Sequence, residues 1–564
     1  MSASPSATPA PSPASSPPKP GRPERGFTAF LVGAGIFLSK VSGFVREWAL
    51  ATFLGTGPVL DAFRAALRTP NVIQNLLGEG SLSASFIPVY SEFLAEGREE
   101  EAGRFAGAAL GLLTVTAFGL AGIGILLAPL FVPLFFPLFE AWQQDLTVVL
   151  VRILFLMTAV LVVSAWALGV LNSHRKFFLS YVAPVLWNLA MVATLVTFGA
   201  SLGWGAERLV VALAWGAVAG GVLQLGVQLP WVLRLLRRFR PSVSSRVAGV
   251  REAIRNLVPV IAARGVINLS GWIDMILAGL LASGALSILG FAQTLYMLPI
   301  ALFGMSIAAS ELPELSRNRK AASEVLAPRV RTALARMAFL LVPSALAYLT
   351  LGDLFVAALF QYGRFTPADT VVSYAVLGAY ALGLGASASS RALSSAYFAI
   401  RDTKTPAKVA YARVAVSAVL GAALMFPLDR LSVGGAAHVV HFGAAGLGLG
   451  AAAGAWLEYV LLRRRLRDRI GAHGPGRGRV ARLLAAGGIA ATAGMGAKWL
   501  LGSLVPLHQG LVAAVVDPDA AYYFPLLAAG TGLAFGVVYL GATAALGVGM
   551  PVRAVLRSVR GGGR

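Results

Sequence analysis

Fourteen apolar runs follow one another along the chain, separated by short polar stretches. They fall near 27–55, 59–92, 103–135, 145–171, 178–201, 208–233, 254–282, 286–314, 329–360, 369–397, 406–428, 440–462, 480–504 and 522–548. A helix needs about 20 apolar residues to cross roughly 30 Å of bilayer hydrocarbon. The pattern therefore predicts an all-α polytopic membrane protein of about 14 transmembrane helices. Residues 1–26, MSASPSATPAPSPASSPPKPGRPERG, break the pattern. They are rich in Pro, Ser and Ala, cannot bury a core, and read as a disordered tail. Nothing in them resembles the compact apolar segment of a cleaved signal peptide.

Composition narrows the chemistry. Charged residues make up 13% of the 564 positions, about half the ~25% of a soluble domain. There is no Cys and there are only five His, with no H-x-x-x-H ligand pair. A disulfide framework, a thiolate metal site and metal catalysis thus have no support, and no cofactor is expected. The formal charge of +22 invites a nucleic-acid reading, but the charge lies in alternating loops. RLLRRFRPSVSSRVAGVREAIR follows the sixth run and RRRLRDRIGAHGPGRGRVAR the twelfth, whereas FEAWQQD, SLGWGAER and ASGALS carry few cations. That is the positive-inside pattern; it places both termini in the cytoplasm and agrees with an even number of spans. The partner implied is the lipid bilayer, with no nucleic acid, and anionic headgroups fit the basic loops.

An internal repeat organises the spans. SGFVREWALATFLGTG begins at Ser42 in the first span and SGWIDMILAGLLASG at Ser270 in the seventh. Each opens Ser-Gly-aromatic, each is followed 21 residues later by a Phe (Phe63, Phe291), and then by a Pro (Pro70, Pro299). Six spans separate the copies, so they share one orientation. Parallel halves related by an axis along the membrane normal are a transporter architecture, with the substrate between them. The expected organisation is a tail at 1–26, an N-lobe at 27–235, a C-lobe at 250–463, two further helices at 479–550, and a basic tail at 551–564.

Ionisable residues inside the spans point to a cavity. Lys40, Gly43 and Glu47 share one face of the first helix, with Arg46 beside them. In the second, Asp61, Arg64, Arg68, Asn71, Asn75 and Glu79 form a polar stripe, which Pro70 is expected to kink. Arg264 and Asp274 follow in the seventh span and Arg391 in the tenth. A charge at the bilayer centre costs at least about 2.5–3.5 kcal/mol, so this stripe should face a cavity or partners within the bundle. A purely structural ion pair between Glu47 and Arg46 or Lys40 is the plainer reading of those three residues. Arg152, Arg413 and Glu458 read as residues near helix ends. The excess of cations over acids in the first two spans favours an anionic substrate, phosphate above all. A cationic drug would want the opposite sign.

The run SKVSGFVREWALATFLGTGPVLDAFRAALRTPNVIQNLLGEGSLSASFIPVYSEF resembles the opening of the MurJ/MviN lipid II flippases, of the multidrug/oligosaccharidyl-lipid/polysaccharide exporter superfamily. LFQYGRFTPAD (359–369) and RALSSAYFAIRDTKTPAK (391–408) are similar to later family blocks. The resemblance spans about residues 27–550. It implies two six-helix lobes around a central cavity, two extra C-terminal helices and no enzymatic activity. The implied substrate is undecaprenyl-pyrophosphate-linked disaccharide-pentapeptide, moved outward across the bacterial cytoplasmic membrane by alternating access.

Residue by residue, Arg46 stands at the family's first-helix cavity arginine and Glu47 where an Asp is usual. Asp61, Arg68, Pro70, Asn71, Glu79 and Gly80 also match, and Arg391 sits where the tenth span carries a basic residue. Three features depart: Lys40 replaces an arginine, Gln74 and Asn75 occupy the stretch where a second-helix arginine normally follows Pro-Asn, and Gln293 and Thr294 stand where a basic pair is typical. Arg64 and Arg264 are additional cations that restore the charge.

The expected assignment makes Lys40, Arg46, Arg64, Arg68, Arg264 and Arg391 the substrate-binding cations. Glu47, Asp61, Glu79 and Asp274 are their gating ion-pair partners, and Pro70 and Pro299 the bending points. Asp274 matches the acid of a sodium site in some relatives, but Ser417 and Gly421 stand where partner ligands are expected, which leaves Na+ or membrane potential as the driving force. A monomer working with cell-wall synthesis proteins is expected. Two alternatives remain at this level: an exporter of another polyprenyl-pyrophosphate-linked saccharide, and a non-transporting membrane scaffold derived from the family.

Overall fold

The computed structural model of the protein describes residues 22–305, 322–400, 402–435, 438–502 and 523–549; at 22–33, 79, 262–270, 303–305 and 322–325 it describes the backbone alone. The apolar runs form sixteen α-helices among these residues. The first half holds α1 (Arg22–Leu54), α2 (Pro58–Leu77), α3 (Glu79–Ala95), α4 (Glu99–Phe135), α5 (Ala141–Ser173), α6 (Phe177–Thr194) and α7 (Ala206–Leu235). The second half holds α8 (Val250–Gly279), α9 (Ala285–Pro299), α10 (Ala322–Phe360), α11 (Pro367–Ala381), α12 (Leu384–Ala399), α13 (Lys404–Asp429) and α14 (Gly443–Ile470). A last pair, α15 (Arg477–Gly502) and α16 (Tyr523–Ala545), packs on itself and on α10.

Among the described residues, ten helices are long and apolar enough to cross a membrane, or eleven when the bent pair α11–α12 counts as one span. The other three expected spans fall on α1, the α2–α3 pair and α8, the helices whose middles carry ionisable residues. Hydropathy undervalues them because part of their surface faces polar partners and not lipid.

Several boundaries differ from the sequence expectation. Helix α1 starts at Arg22, inside the stretch expected to be a tail; residues 1–21 and the tail at 551–564 lie outside the described residues. The second span breaks at Gly78 and not at Pro70, through which α2 continues. Gly78 adopts an extended conformation (φ −83°, ψ −157°), and a Cβ there would stand 2.2 Å from the Gln74 carbonyl oxygen. Glycine is thus required at the break. Pro299 marks a change of winding: α9 ends on it and a π-helical stretch, Ile300–Met305, continues. Proline removes the amide that would extend the α-helical ladder. The tenth span bends by 42° between α11 and α12. An antiparallel β-hairpin (β1, Ser432–Gly435; β2, His438–His441) precedes α14 and has no counterpart in the helical expectation.

Within each half, close packing rests on small residues, as expected where lipid removes most of the hydrophobic drive between helices. In the C-lobe, α14 meets α13 so closely that a Cβ at Gly450 would lie 2.5 Å from the Gly421 amide nitrogen. Arg413 of α13 donates to Glu458 of α14 at 2.7 Å. This pair lies between the two helices, whereas the sequence placed both residues near span ends. In the N-lobe, α5 sits between α2, α4 and α7 and buries Trp166, whose Nε1 donates to the Ala106 carbonyl (3.0 Å). The chain between the lobes is strapped onto α4: Ser242 N donates to Gly107 O (3.3 Å), and Arg237 and Arg238 pair with Glu99 and Glu100.

These helices define two ends. One gathers the short turns after α1, α8 and α10 and the β-hairpin; the other gathers the basic connections after α7 and α14.

Candidate functional site

Helices α1 and α2 supply most of the polar side chains between the lobes. Their three- and four-residue spacing puts those side chains on the faces turned towards α8 and α9. The result is a cavity of about 710 Å³, lined among others by Lys40, Arg46, Glu47, Arg64, Arg68 and Asn71, with Gln293 and Thr294 opposite. An adjoining recess of about 190 Å³ adds Gly271 and Asp274 of α8. Four cations and two acids therefore face the described wall.

Glu47 is the centre of the charge network. It is only 6% exposed, and each of its oxygens takes one guanidinium: Arg46 Nη2 donates to Oε1 and Arg64 Nη2 to Oε2, both at 2.8 Å. Arg46 is also held by α6, where its Nη1 donates to Asn188 Oδ1 (3.0 Å) and its guanidinium lies 5.0 Å from the Trp187 ring. Asn188 Nδ2 in turn donates to Ser42 Oγ (2.9 Å), which places the serine of the first Ser-Gly-aromatic motif behind the arginine. Arg64 reaches the other lobe and stacks 4.6 Å from the Phe291 ring of α9. The Nε atoms of Arg46 and Arg64 are buried with no hydrogen-bond partner among the described residues.

Asp61 stands apart from this network. It is 2% exposed, and its oxygens accept from Gly284 N (2.6 Å), Ser287 N (2.7 Å) and Ser287 Oγ (2.5 Å). A carboxylate at the first turn of α9 meets unsatisfied amides and the positive end of the helix dipole. The sequence paired Asp61 with the cavity cations; here its hydrogen bonds go to neutral donors of the opposite lobe.

The same end of the molecule is closed by further contacts between the lobes. Arg364 N donates to Thr52 O (3.0 Å), and Thr56 Oγ1 donates to Asp369 Oδ1. Asp369 is fully buried; it completes a capping box with Thr366 at the start of α11 and meets His438 Nε2 of the β-hairpin at 2.9 Å. Phe44 of α1 stacks on Phe360 at 5.8 Å, and Phe291 lies 5.0 Å from the same ring. The cavity is sealed on this side and extends the other way, along Lys40, Gln74 and Ala301.

The expected residues therefore separate into groups. Lys40, Arg46, Glu47, Arg64, Arg68 and Asp274 share one cavity. Asp61 belongs to the seal. Arg391 sits exposed on α12, outside the described lining. Glu79 and Arg264 belong to α3 and α8, but their side chains lie outside the described residues. Sequence reasoning missed Asn188, Asp369 and His438. A lone Asn in the apolar run APVLWNLAM was a usable signal, as was the T-P-A-D capping pattern before α11. His438 had none, because its partner is 69 residues away.

Among the described residues, no group of three His, Asp or Glu is placed to hold a metal ion.

Comparison with known proteins places this architecture. A solved lipid II flippase MurJ in an inward closed conformation matches with a TM-score of 0.69 at 18% identity, covering 92% of this chain and 99% of that one. An inward-facing multidrug resistance MATE family transporter of the MOP superfamily matches with a TM-score of 0.54 at 18% identity, covering 79% and 94%. Both likenesses concern the fold. In sequence, the lipid II flippase MurJ of Burkholderia cenocepacia is 32% identical over 456 residues, 78% of this chain and 84% of the relative. The family model for lipid II flippase MurJ matches residues 50–517, so the chain belongs to the MurJ family of lipid II flippases, transporters and not enzymes.

Proposed function

We propose that this protein carries lipid II, the undecaprenyl-pyrophosphate-linked disaccharide-pentapeptide, from the inner to the outer leaflet of the bacterial cytoplasmic membrane by alternating access. The observation that carries the reading is the sign of the cavity wall: four cations against two acids, positioned between two lobes that meet at one end. Lys40, Arg46, Arg64 and Arg68 attract the pyrophosphate, and the sequence offers Arg264 as a further cation. Glu47 holds Arg46 and Arg64 until substrate oxygens compete for them. The polyprenyl tail stays in lipid while sugars and peptide occupy the aqueous space.

Both termini and the basic connections face the cytoplasm in this reading, so the sealed end faces outward and the cavity takes substrate from the inner leaflet. The cycle turns when the seal around Asp61, Thr56 and Asp369 opens and the opposite end closes. Membrane potential is the proposed driving force, since it acts on the net positive wall without needing a dedicated ion site. Asp274 beside Arg68 is the position at which a sodium ion would act instead. The protein works as a monomer alongside cell-wall synthesis proteins.

The test is rescue of a bacterium depleted of its own lipid II flippase. Growth on expression of this chain supports the reading; failure with normal membrane levels overturns it. Arg64→Ala with Arg264→Ala is expected to abolish rescue, and full rescue by the double variant would remove those cations from the mechanism.

A further inference from the structure

Two glycines of the C-lobe occupy the spots where arginines of α2 end. A Cβ built on Gly290 of α9 would lie 2.4 Å from both Cζ and Nη1 of Arg64 and 2.7 Å from its Nε. A Cβ built on Gly271 of α8 would lie 2.6 Å from Nη2 of Arg68. Real carbon–nitrogen contacts are never this short, so neither guanidinium could keep its place beside an alanine. Both glycines line the recess that also holds Glu47 and Asp274.

Their placement within the repeat makes the pairing more than incidental. Gly271 is the glycine of the second Ser-Gly-aromatic motif, and Gly290 directly precedes Phe291, the repeat's second landmark. In the first copy the corresponding residues are Gly43 and Ala62. A Cβ on Gly43 would make only an ordinary contact, 3.7 Å from Asn188 Nδ2, and Ala62 already carries one. The absent side chains thus coincide with arginines only in the C-lobe, opposite the helix that supplies them. Arg64 is fixed on three sides there, by Glu47, by the Phe291 ring and by the bare surface at Gly290.

We infer that Gly271 and Gly290 are positioning residues for transport: each omits a side chain so that one α2 guanidinium can rest against the opposite lobe, presenting both cations at the interface where the pyrophosphate is bound. The inference rests on the flippase reading above. It explains why an α2 bearing two long cations can approach α8 and α9 without forcing the lobes apart. The obstacle that a new methyl group meets is a flexible side-chain tip and not backbone, so substitution displaces the arginine while the helix stays in place. Alanine is also the better helix former, which separates positioning from stability.

The experiment uses the purified full-length protein and the variants Gly290→Ala and Gly271→Ala, with Gly122→Ala, whose Cβ would meet nothing within 4 Å, as control. Phenylglyoxal labelling read by peptide mass spectrometry reports each arginine without any substrate. Gly290→Ala is expected to change the labelling rate of Arg64 and Gly271→Ala that of Arg68, with unaltered thermal midpoints. Affinity for lipid II in nanodiscs should fall about tenfold in each, the worth of one charge-assisted contact, while Gly122→Ala behaves as the parent. Gly290→Ala added to Arg64→Ala should cost nothing further. Unchanged labelling, a melting temperature that falls in step with binding, or additive losses in the double variant would each overturn the inference. If the parent protein itself fails to bind lipid II, the flippase reading fails, and the labelling result still decides whether the glycines seat the arginines.

Discussion

Glu47 and Asp61 are buried carboxylates 14 residues apart, and they are satisfied in opposite ways. Glu47 is surrounded by charge, with two guanidiniums at 2.8 Å beside a cavity. Asp61 is surrounded by neutral donors, two backbone amides and a hydroxyl at the first turn of α9. The guanidiniums sit at the ends of long side chains that line the cavity. The amides around Asp61 move only with their helix, so that bond breaks only when the lobes separate. One carboxylate pairs with cations beside the cavity, whereas the other joins α2 to the first turn of α9.

Glu47→Gln attacks the first arrangement and should have the largest effect. It leaves two like charges without their counter-ion, a situation that costs about 3–5 kcal/mol when fully buried. The loss should show as a lower thermal midpoint in nanodiscs, and added pyrophosphate should restore the variant more than the parent. A midpoint within error of the parent would mean that the pair is solvated and holds little.

Asp61→Asn tests the second arrangement. An amide oxygen can replace only part of the carboxylate's bonding, at about 1–3 kcal/mol for an unsatisfied buried donor. Because the chain has no Cys, a pair introduced as Thr52→Cys and Arg364→Cys can report the distance between lobes. Cross-linking yield should drop in the Asp61→Asn background and hold in the Glu47→Gln background. Equal yields would erase the distinction between the two carboxylates.

Arg64→Ala sharpens the comparison from the ligand side. Lipid II affinity should fall roughly tenfold for one lost charge-assisted contact, and binding should become less sensitive to salt. The cross-link at the sealed end should be unaffected. Thr366→Ala removes the hydroxyl that caps α11 beside Asp369, worth about 1 kcal/mol. It should lower the thermal midpoint slightly and leave lipid II binding unchanged.

Much of this was legible in the order of residues. The apolar runs announced the helices, because every spanning segment must satisfy its own backbone in lipid. The three- and four-residue spacing of Lys40 to Glu47 and of Asp61 to Asn75 announced a polar face, and excess cations announced an anionic partner. Less legible were the helix breaks: Pro70 carried the obvious signal, yet the chain breaks at Gly78, where an extended glycine leaves room for the Gln74 carbonyl.

Partnerships were not legible at all. Nothing near Asp61 in sequence marks Ser287, 226 residues on, as its partner, and nothing near Thr56 marks Asp369. The sequence by itself determined the class of protein and the sign of the cavity, since these follow from local hydropathy, periodicity and charge. Only the tertiary structure decided which carboxylate faces cations and which closes the seal, and which glycines receive the arginines. Those outcomes depend on how two lobes are brought face to face, and that arrangement is a property of packing between distant helices and not of any one of them.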